Sequence, residues 1–181
     1  WMVVSAIRPG NQLLSYPPQF FPKDVTFEAF QAVLRRSNIF TWFKNSTVVT
    51  AFTILVAVPV SALAGFAMSR FRYRGVQEAG YLLLTARMLP ASLLIIPLYA
   101  IFAQLGLINN FASLVVANTT FIVPFGAWML KGFFDSIPRD LEHAAMIDGT
   151  TAFMAFVRVV VPLSLPGLAA TTIYCAILTW G

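Results

Sequence analysis

The sequence has little charge for its length. Only 10% of the 181 residues are Asp, Glu, Lys or Arg, whereas 59% are hydrophobic. A soluble domain usually carries about 25% charged residues, so this composition indicates an integral membrane protein. The 12 Lys and Arg residues are scattered or lie at the ends of apolar runs. They form no basic stripe of the kind that binds nucleic acid, so no nucleic-acid partner is expected.

Reactive and metal-binding side chains are also scarce. Cys175 is the single cysteine and His143 the single histidine, which excludes an internal disulfide and a cysteine-based metal site. We expect Cys175, inside an apolar run, to behave as a small buried hydrophobe. The HExxH and GxSxG motifs of hydrolases do not occur, nor does the Gly-Lys pair of an ATP-binding phosphate loop. The chain is therefore not expected to be an enzyme, and no metal or cofactor site is predicted in it.

Long uncharged runs define the membrane segments. Residues 45–69 carry no charge and exceed the roughly 20 residues that a spanning helix needs. Residues 88–130 are also uncharged; as one helix they would measure about 64 Å, twice a hydrocarbon core of about 30 Å. A turn signal at 106–110 divides that run. The sequence predicts an all-α, multi-pass helical bundle with four spans, at about 45–69, 79–103, 111–130 and 159–181.

The segments before the first full span are of two kinds. Residues 1–7 look like the tail of an earlier span, and the chain also closes in apolar sequence. We therefore expect a fragment of a longer protein in which further spans exist. Residues 8–44 are soluble in character, with an extended start rich in proline and then a short amphipathic helix. That helix would lie on the bilayer surface or cap the bundle on the extracytoplasmic side. The residues that carry this prediction are Pro17, Pro18, Pro22, Phe27, Phe30, Val33 and Leu34.

A stripe of small residues marks one face of the first full span. Ala57, Ser61, Gly65 and Ser69 recur at every fourth position, a spacing that lets two helix backbones approach closely. Both ordinary packing within the bundle and a dedicated subunit interface are compatible with the stripe. The pattern favours ordinary packing.

Arg87 is the only charged residue inside the four predicted spans. An intramembrane charge indicates a functional role by default. Arg87 lies near the start of its span, however, where an arginine can snorkel to the lipid headgroups. We favour snorkelling or packing over a role in the transport path.

Neutral polar and aromatic side chains lie within the second and third spans. Asn118, Thr119 and Thr120 lie near the middle of the third span, and Met88 and Tyr99 belong to the second. For Asn118 and Thr120 we favour hydrogen bonds to other helices.

Residues 131–158, here called the elbow, stand out as a polar segment between two apolar runs. Pro138 suits a first helical position, and Asp140 and Glu142 favour the positive end of the helix dipole. Gly149 suits a C-terminal cap with positive φ, and Thr150 or Thr151 can cap a following helix. The elbow is thus predicted to be a helix-turn-helix outside the membrane. From the residues alone, a docking surface for a soluble partner and a plain connector are equally compatible.

The elbow resembles the loop that defines the permease subunits of binding-protein-dependent ABC importers. That loop carries Glu-Ala-Ala, three residues, Gly, nine residues, an aliphatic residue, any residue and an aliphatic-Pro pair. Here Ala144-Ala145 precede Gly149 by three residues, and 159–162 follow at the same spacing with the sequence VVVP. The segments IDG, PLSLPG and FAMSRFRYRG, and the pair Asn45-Ser46, also resemble the family. The resemblance covers nearly the whole chain and is closest to the sugar branch, the smaller permease subunits of maltose-type importers.

One position departs from the family pattern. His143 stands where the family has its motif glutamate, and Glu142 precedes it. Neighbouring residues on a helix point about 100° apart, so Glu142 would face a different direction. The resemblance implies that the family acid meets a basic residue of an ATPase, and a neutral imidazole cannot form that ion pair.

The resemblance also implies a function and a set of partners. The chain would be the permease subunit of a type I ATP-driven importer in a bacterial or archaeal plasma membrane, with the elbow as cytoplasmic coupling helix. The partners would be a dimer of ATPase subunits that binds ATP and Mg, a second permease subunit that makes a heterodimer, and an extracytoplasmic solute-binding protein. Another cargo, such as peptide, polyamine or anion, is the first alternative, and an ATP-independent secondary transporter is the second. The residues implied in coupling are Leu141, Glu142, His143, Ala144, Ala145, Asp148, Gly149 and Pro162. A sugar path could take aromatic faces and hydrogen-bonding groups from Met88, Tyr99, Asn118, Thr119 and Thr120.

Overall fold

The computed structural model describes residues 2–12, 24–36, 38–71, 73–88 and 90–180. These residues form helices and turns, with no β-strand in any of the described ranges, so the predicted all-α fold is confirmed. Pro17, Pro18 and Pro22 lie outside the described residues, as does the side chain of Arg87. The chain divides into two compact units, residues 1–45 and residues 46–181.

The first unit contains the predicted amphipathic helix. Helix α1 comprises Met2–Ala6, a 3-10 turn comprises Gly10–Gln12, and helix α2 comprises Glu28–Arg36. The apolar side of α2 is exposed: Phe30 and Leu34 have 49% and 56% of their surface accessible. This helix forms because its apolar residues recur at helical spacing, as the sequence indicated.

The second unit contains the remaining helices. Helix α3 begins in the first unit and continues through the second. The helices in chain order are α3 Ile39–Arg70, α4 Arg74–Arg87, α5 Ala91–Gln104, α6 Phe111–Asp135, α7 Asp140–Ile147, α8 Ala152–Ala155, a π-helical turn Phe156–Val160, α9 Val161–Leu163 and α10 Leu165–Trp180.

Two of these helices match predicted spans closely. Among the described residues, α3 and α6 are long and apolar enough to cross a membrane. The stretch 79–103, expected as one span, is instead divided between α4 and α5. Pro90 directly precedes α5; it lacks an N–H and disfavours helical geometry in the residue before it, so it interrupts the helix.

The last apolar run is also broken. The segment Ala152–Leu163 and helix α10 are bent by 79° relative to each other, and together they could count as a third span by length and composition. Ser164 lies at the bend, and its N–H donates to the carbonyls of Val160 and Val161. Within the span predicted at 159–181, the straight helix α10 therefore begins only at Leu165.

Helix α3 packs tightly against α6 along the small-residue stripe. Ala57, Ser61, Gly65 and Ser69 are all buried. A Cβ on Gly65 would lie 2.7 Å from the carbonyl oxygen of Ala127 in α6. The stripe therefore packs inside this chain, which is the ordinary bundle packing that the pattern favoured.

Candidate functional site

The first helix of the elbow, α7, is short and lies largely at the surface. It has eight residues, Asp140–Ile147, which makes it about 12 Å long. Pro138, expected at the first helical position, instead lies two residues before the first residue of α7, and Arg139 is the N-cap residue. The N–H of Leu141 donates to the Pro138 carbonyl. Because Pro138 lies outside the helix, its missing N–H removes no helical hydrogen bond.

A glycine cap ends α7 and turns the chain toward α8. Gly149 has a φ of +91°. Its N–H donates to the carbonyl of Met146 at 3.1 Å, and the N–H of Thr150 donates to that of Ala145 at 3.1 Å. These two bonds define the Schellman motif, which needs a residue with positive φ at this position. The predicted cap at Gly149 is confirmed, and Thr151 caps α8 by accepting the N–H of Met154.

The two faces of α7 differ in burial. Within α7, all of which the structure describes, Glu142 is the buried residue, and Ala145, one turn later, is half-buried. His143 points elsewhere and is exposed, as the 100° rotation between helix neighbours requires. The residues of the exposed face and of the turn after it are Asp140, Leu141, His143, Ala144, Met146, Ile147, Asp148 and Gly149. This arrangement leaves most of α7 available to another molecule.

Glu142 is buried because it forms an ion pair with the last residue of α3. The Nε and Nη2 atoms of Arg70 both lie 2.5 Å from Oε1 of Glu142. The side chains are 8% and 10% exposed for Arg70 and Glu142, respectively. Removing one partner of a buried pair leaves an uncompensated charge, which costs about 3–5 kcal/mol.

The Arg70 guanidinium reaches two further segments. Its Nη1 donates to the carbonyl of Phe134 at 3.0 Å, and its Nη2 donates to the carbonyl of Ile137 at 3.2 Å. One side chain thus connects the end of α3 with the end of α6, the 136–139 linker and α7. The fork geometry of guanidinium supports such multiple contacts, which a lysine could not reproduce.

A second polar chain runs beside this ion pair. Ser69 donates from its hydroxyl to Oδ1 of Asp135 at 2.6 Å, and Lys131 lies 2.5 Å from Oδ2 of the same carboxylate. Arg139 donates from Nη2 to the Ser69 carbonyl at 2.8 Å. One of the C-terminal carbonyls of α3, which have no partner within the helix, is thereby satisfied by a cation.

Aromatic rings hold the second half of the elbow against the bundle. Phe156 lies in the π-helical turn, and its ring centroid is 4.5 Å from that of Phe66 in α3 and 6.1 Å from that of Phe134 in α6. All three rings belong to or pack on one buried apolar cluster. Pro162 follows this turn and is exposed. It has no N–H to donate to a carbonyl one turn earlier, which favours the wider π turn before it.

The candidate solute-path residues lie in different places. Thr119 and Thr120 line an apolar cavity of about 420 Å³ together with Val56 and Val60 of α3. Tyr99 lines a separate cavity of about 320 Å³. Met88, at the end of α4, is exposed, and Asn118 is half-buried.

The hydroxyl of Thr120 donates within its own helix. Its acceptor is the carbonyl of Val116, at 2.9 Å. The structure thus differs from the interhelical bond that the sequence favoured for this residue. A threonine on a helix can donate its hydroxyl to the carbonyl one turn earlier without a neighbouring helix.

Several residues of the site carry no local signal in the sequence. Arg70 and Ser69 precede Glu142 by about 70 positions, so no helical periodicity connects them. The Lys131–Asp135 pair, by contrast, has the i,i+4 spacing of a helical ion pair and could have been read directly. Finding the Arg70–Glu142 pair from sequence would have required correlated changes at the two positions among related proteins.

Comparison with known proteins defines the class of this chain. Residues 57–181 match the family described as "Binding-protein-dependent transport system inner membrane component". The chain belongs to this family. Its members are membrane components of transporters and not catalytic subunits, and the chain is accordingly an inner-membrane protein.

Individual relatives match over nearly the whole chain. The diacetylchitobiose uptake system permease protein DasC of Streptomyces coelicolor is 32% identical over 99% of this chain and 65% of its own length. The inner membrane ABC transporter permease protein YcjP of Escherichia coli is 31% identical over the same shares. The trehalose transport system permease protein SugB of Mycobacterium tuberculosis is 31% identical, again over 99% of this chain and 65% of its own.

A solved structure has the same fold. The crystal structure of a bacterial ABC transporter involved in the import of the acidic polysaccharide alginate matches with a TM-score of 0.84 at 25% identity, over 99% of this chain and 63% of that one. The chain thus spans slightly less than two thirds of the length of these relatives.

Proposed function

We propose that the full-length protein is a permease subunit of an ATP-driven importer and that its cargo is a sugar or oligosaccharide. The observation that carries this proposal is the exposed helix α7, held on the bundle by one buried residue, in a chain of the inner-membrane transport family. The relatives named for diacetylchitobiose and trehalose uptake support a sugar as cargo.

The elbow is the contact with a separate ATPase. The exposed Leu141, Ala144 and Ile147 give α7 a smooth apolar surface that fits a groove. The Schellman cap at Gly149 turns the chain away sharply after α7, so that the helix can protrude. Asp148 lies beside the cap and would face polar groups at the rim of the groove.

The transport cycle follows from this contact. Two ATPase subunits bind ATP and Mg, and their closure displaces α7. The displacement reorients the permease pair between inward- and outward-facing states by rigid-body motion of packed helices. A solute-binding protein on the extracytoplasmic side delivers the sugar, and a second, different permease subunit completes the path. Met88, Tyr99, Asn118, Thr119 and Thr120 are the proposed contributions of this chain to that path.

The test is co-purification of the tagged full-length protein from its native membranes, with identification of the bound proteins by mass spectrometry. Ala144→Arg places a charged, bulky side chain on the exposed face of α7 without touching a buried residue. Ala29→Arg makes the same change on the exposed surface of α2 and is the control.

Wild-type protein and the Ala29→Arg variant are expected to retain an ATPase with a phosphate-binding loop and a second multispan subunit. Ala144→Arg is expected to lose the ATPase and to keep the second permease subunit. If wild-type protein transports its solute without ATP and retains no ATPase, the importer assignment is wrong. Binding of radiolabelled sugars by the co-purified solute-binding protein then tests the cargo; a protein that binds only peptides, polyamines or anions would contradict the sugar assignment.

A further inference from the structure

Helix α7 and helix α3 are connected by side chains that are distant in sequence. Arg70 and Glu142 are 72 positions apart, and Arg139 contacts the Ser69 carbonyl over 70 positions. The covalent chain attaches α7 to α6 on one side and to α8 on the other. The covalent chain does not join α7 directly to α3, so a direct connection between these two helices must come from side-chain contacts.

The ion pair is the strongest of these connections. Glu142 is the buried residue of α7, and Arg70 is the last residue of a helix of 32 residues that is long and apolar enough to cross a membrane. Both contacting nitrogens of Arg70 meet one carboxylate oxygen at 2.5 Å. Charge-assisted hydrogen bonds in a buried setting are short and directional, so they resist displacement of α7 along and across the end of α3.

The same guanidinium also holds the end of α6. Its bonds to the carbonyls of Phe134 and Ile137 fix Arg70 between the two helices that are long enough to cross the membrane. The end of α3, the end of α6 and α7 therefore meet on a single side chain. A force on α7 reaches both long helices through it.

We infer that the Arg70–Glu142 ion pair makes α7 and α3 move as one body and so transmits movement of the elbow to the membrane helices. Arg70 and Glu142 are positioning residues, since neither touches solute or nucleotide. This inference rests on the proposed importer function. It assigns the transmission step to a buried contact inside the chain, distinct from the exposed face that meets the ATPase.

The first experiment measures coupling in the purified, reconstituted importer complex. Glu142→Gln keeps the size of the side chain and an oxygen that accepts a hydrogen bond, but removes the charge. Glu78→Gln is the matched control, because it makes the same change at an exposed position of α4, outside the elbow. For each complex the amount assembled, the rate of ATP hydrolysis and the solute taken up per ATP are measured.

The Glu142→Gln complex is expected to assemble and to hydrolyse ATP, with about tenfold less solute taken up per ATP, a typical size for coupling between distant sites. Glu78→Gln is expected to match wild type. If assembled Glu142→Gln complex has the wild-type ratio of solute to ATP, the ion pair serves only folding and the inference is overturned. If wild type itself shows no ATP-dependent uptake, the proposed function fails, which is a different result.

A second measurement does not depend on Glu142→Gln folding. Spin labels at Phe71→Cys and Leu141→Cys, both exposed neighbours of the ion pair, report the distance between the end of α3 and α7 by pulsed electron resonance. The native Cys175 is buried and does not compete for label. Movement as one body predicts the same distance in nucleotide-free and ATP-bound complexes. A change of about one helical turn, ~5 Å, would show that α7 moves independently of α3 and would overturn the inference.

Discussion

Gly65 of α3 lies against the backbone of Ala127 in α6, so closely that a Cβ on the glycine would be 2.7 Å from the Ala127 carbonyl oxygen. The next contacts, with the N of Lys131 and the Cβ of Leu130, would be 3.0 and 3.2 Å. Two of these three atoms belong to the backbone of α6 and cannot move without moving the helix. The absence of a side chain at Gly65 thus sets the distance between the two long helices.

Gly65→Ala is expected to destabilise the protein because it pushes α3 and α6 apart. Overpacking of this kind costs about 1–3 kcal/mol. The thermal unfolding midpoint of the purified protein in detergent measures the effect. Gly75→Ala is the control, since a Cβ on Gly75 meets nothing within 4 Å, and it should leave the midpoint unchanged or slightly raised. Equal midpoints for the two variants would mean that α3 and α6 are not in close contact.

Gly149→Val is expected to weaken the cap of α7 by strain in the backbone alone. A Cβ on Gly149 meets nothing within 4 Å, but its φ is +91°, a region that costs other residues about 1–2 kcal/mol. The variant should lower both the unfolding midpoint and the retention of the ATPase. Gly132→Val, in open space within α6 and without a positive φ, is the control. Unchanged stability, assembly and transport in Gly149→Val would contradict the Schellman geometry.

Phe156→Ala is expected to detach the second half of the elbow. Its ring is 5% exposed and packs on Phe66 and Phe134, so truncation should cost about 3–5 kcal/mol. Phe153→Ala removes a ring that is 64% exposed and should cost much less. Limited proteolysis within the elbow, together with thermal unfolding, measures the difference. Similar behaviour of the two variants would argue against the aromatic cluster.

His143→Glu is expected to strengthen the association with the ATPase. The position is exposed, so the change should leave the unfolding midpoint unaltered while it restores the acid that the family pattern has there. A surface ion pair of this kind is worth about twofold to fivefold in affinity. The fraction of ATPase retained at increasing salt measures it, with Gln104→Glu at the end of α5 as control. A gain of retention in both variants, or in neither, would contradict a specific role for position 143.

The predictions from sequence succeeded where the rule is local. Hydropathy and charge located each end of α3 and α6 to within six residues, because a span is defined by its own composition. Gly149 was identified as a cap with positive φ, because a helix end and the residue after it suffice for that inference. The 100° rotation per residue correctly separated the directions of Glu142 and His143.

Other features were not accessible in this way. The interruption between α4 and α5 was missed because proline is tolerated within membrane helices when neighbours satisfy the freed backbone groups. Helix α5 continues through Pro97 but begins only after Pro90. Which of the two prolines interrupts a helix depends on how the neighbouring helices pack. The sequence could predict that Glu142 and His143 point in different directions, but not that Glu142 pairs with Arg70.

The sequence by itself therefore determined the membrane class, the two long helices, the capped elbow helix and the family pattern, since each depends on residues within one or two helical turns or on fixed spacing. The tertiary structure alone decided that Arg70 pairs with Glu142 and that Gly65 lies on the Ala127 carbonyl. Both contacts join positions about 60 to 70 residues apart, and their energies come from burial and close approach. Those quantities exist only after the helices have assembled.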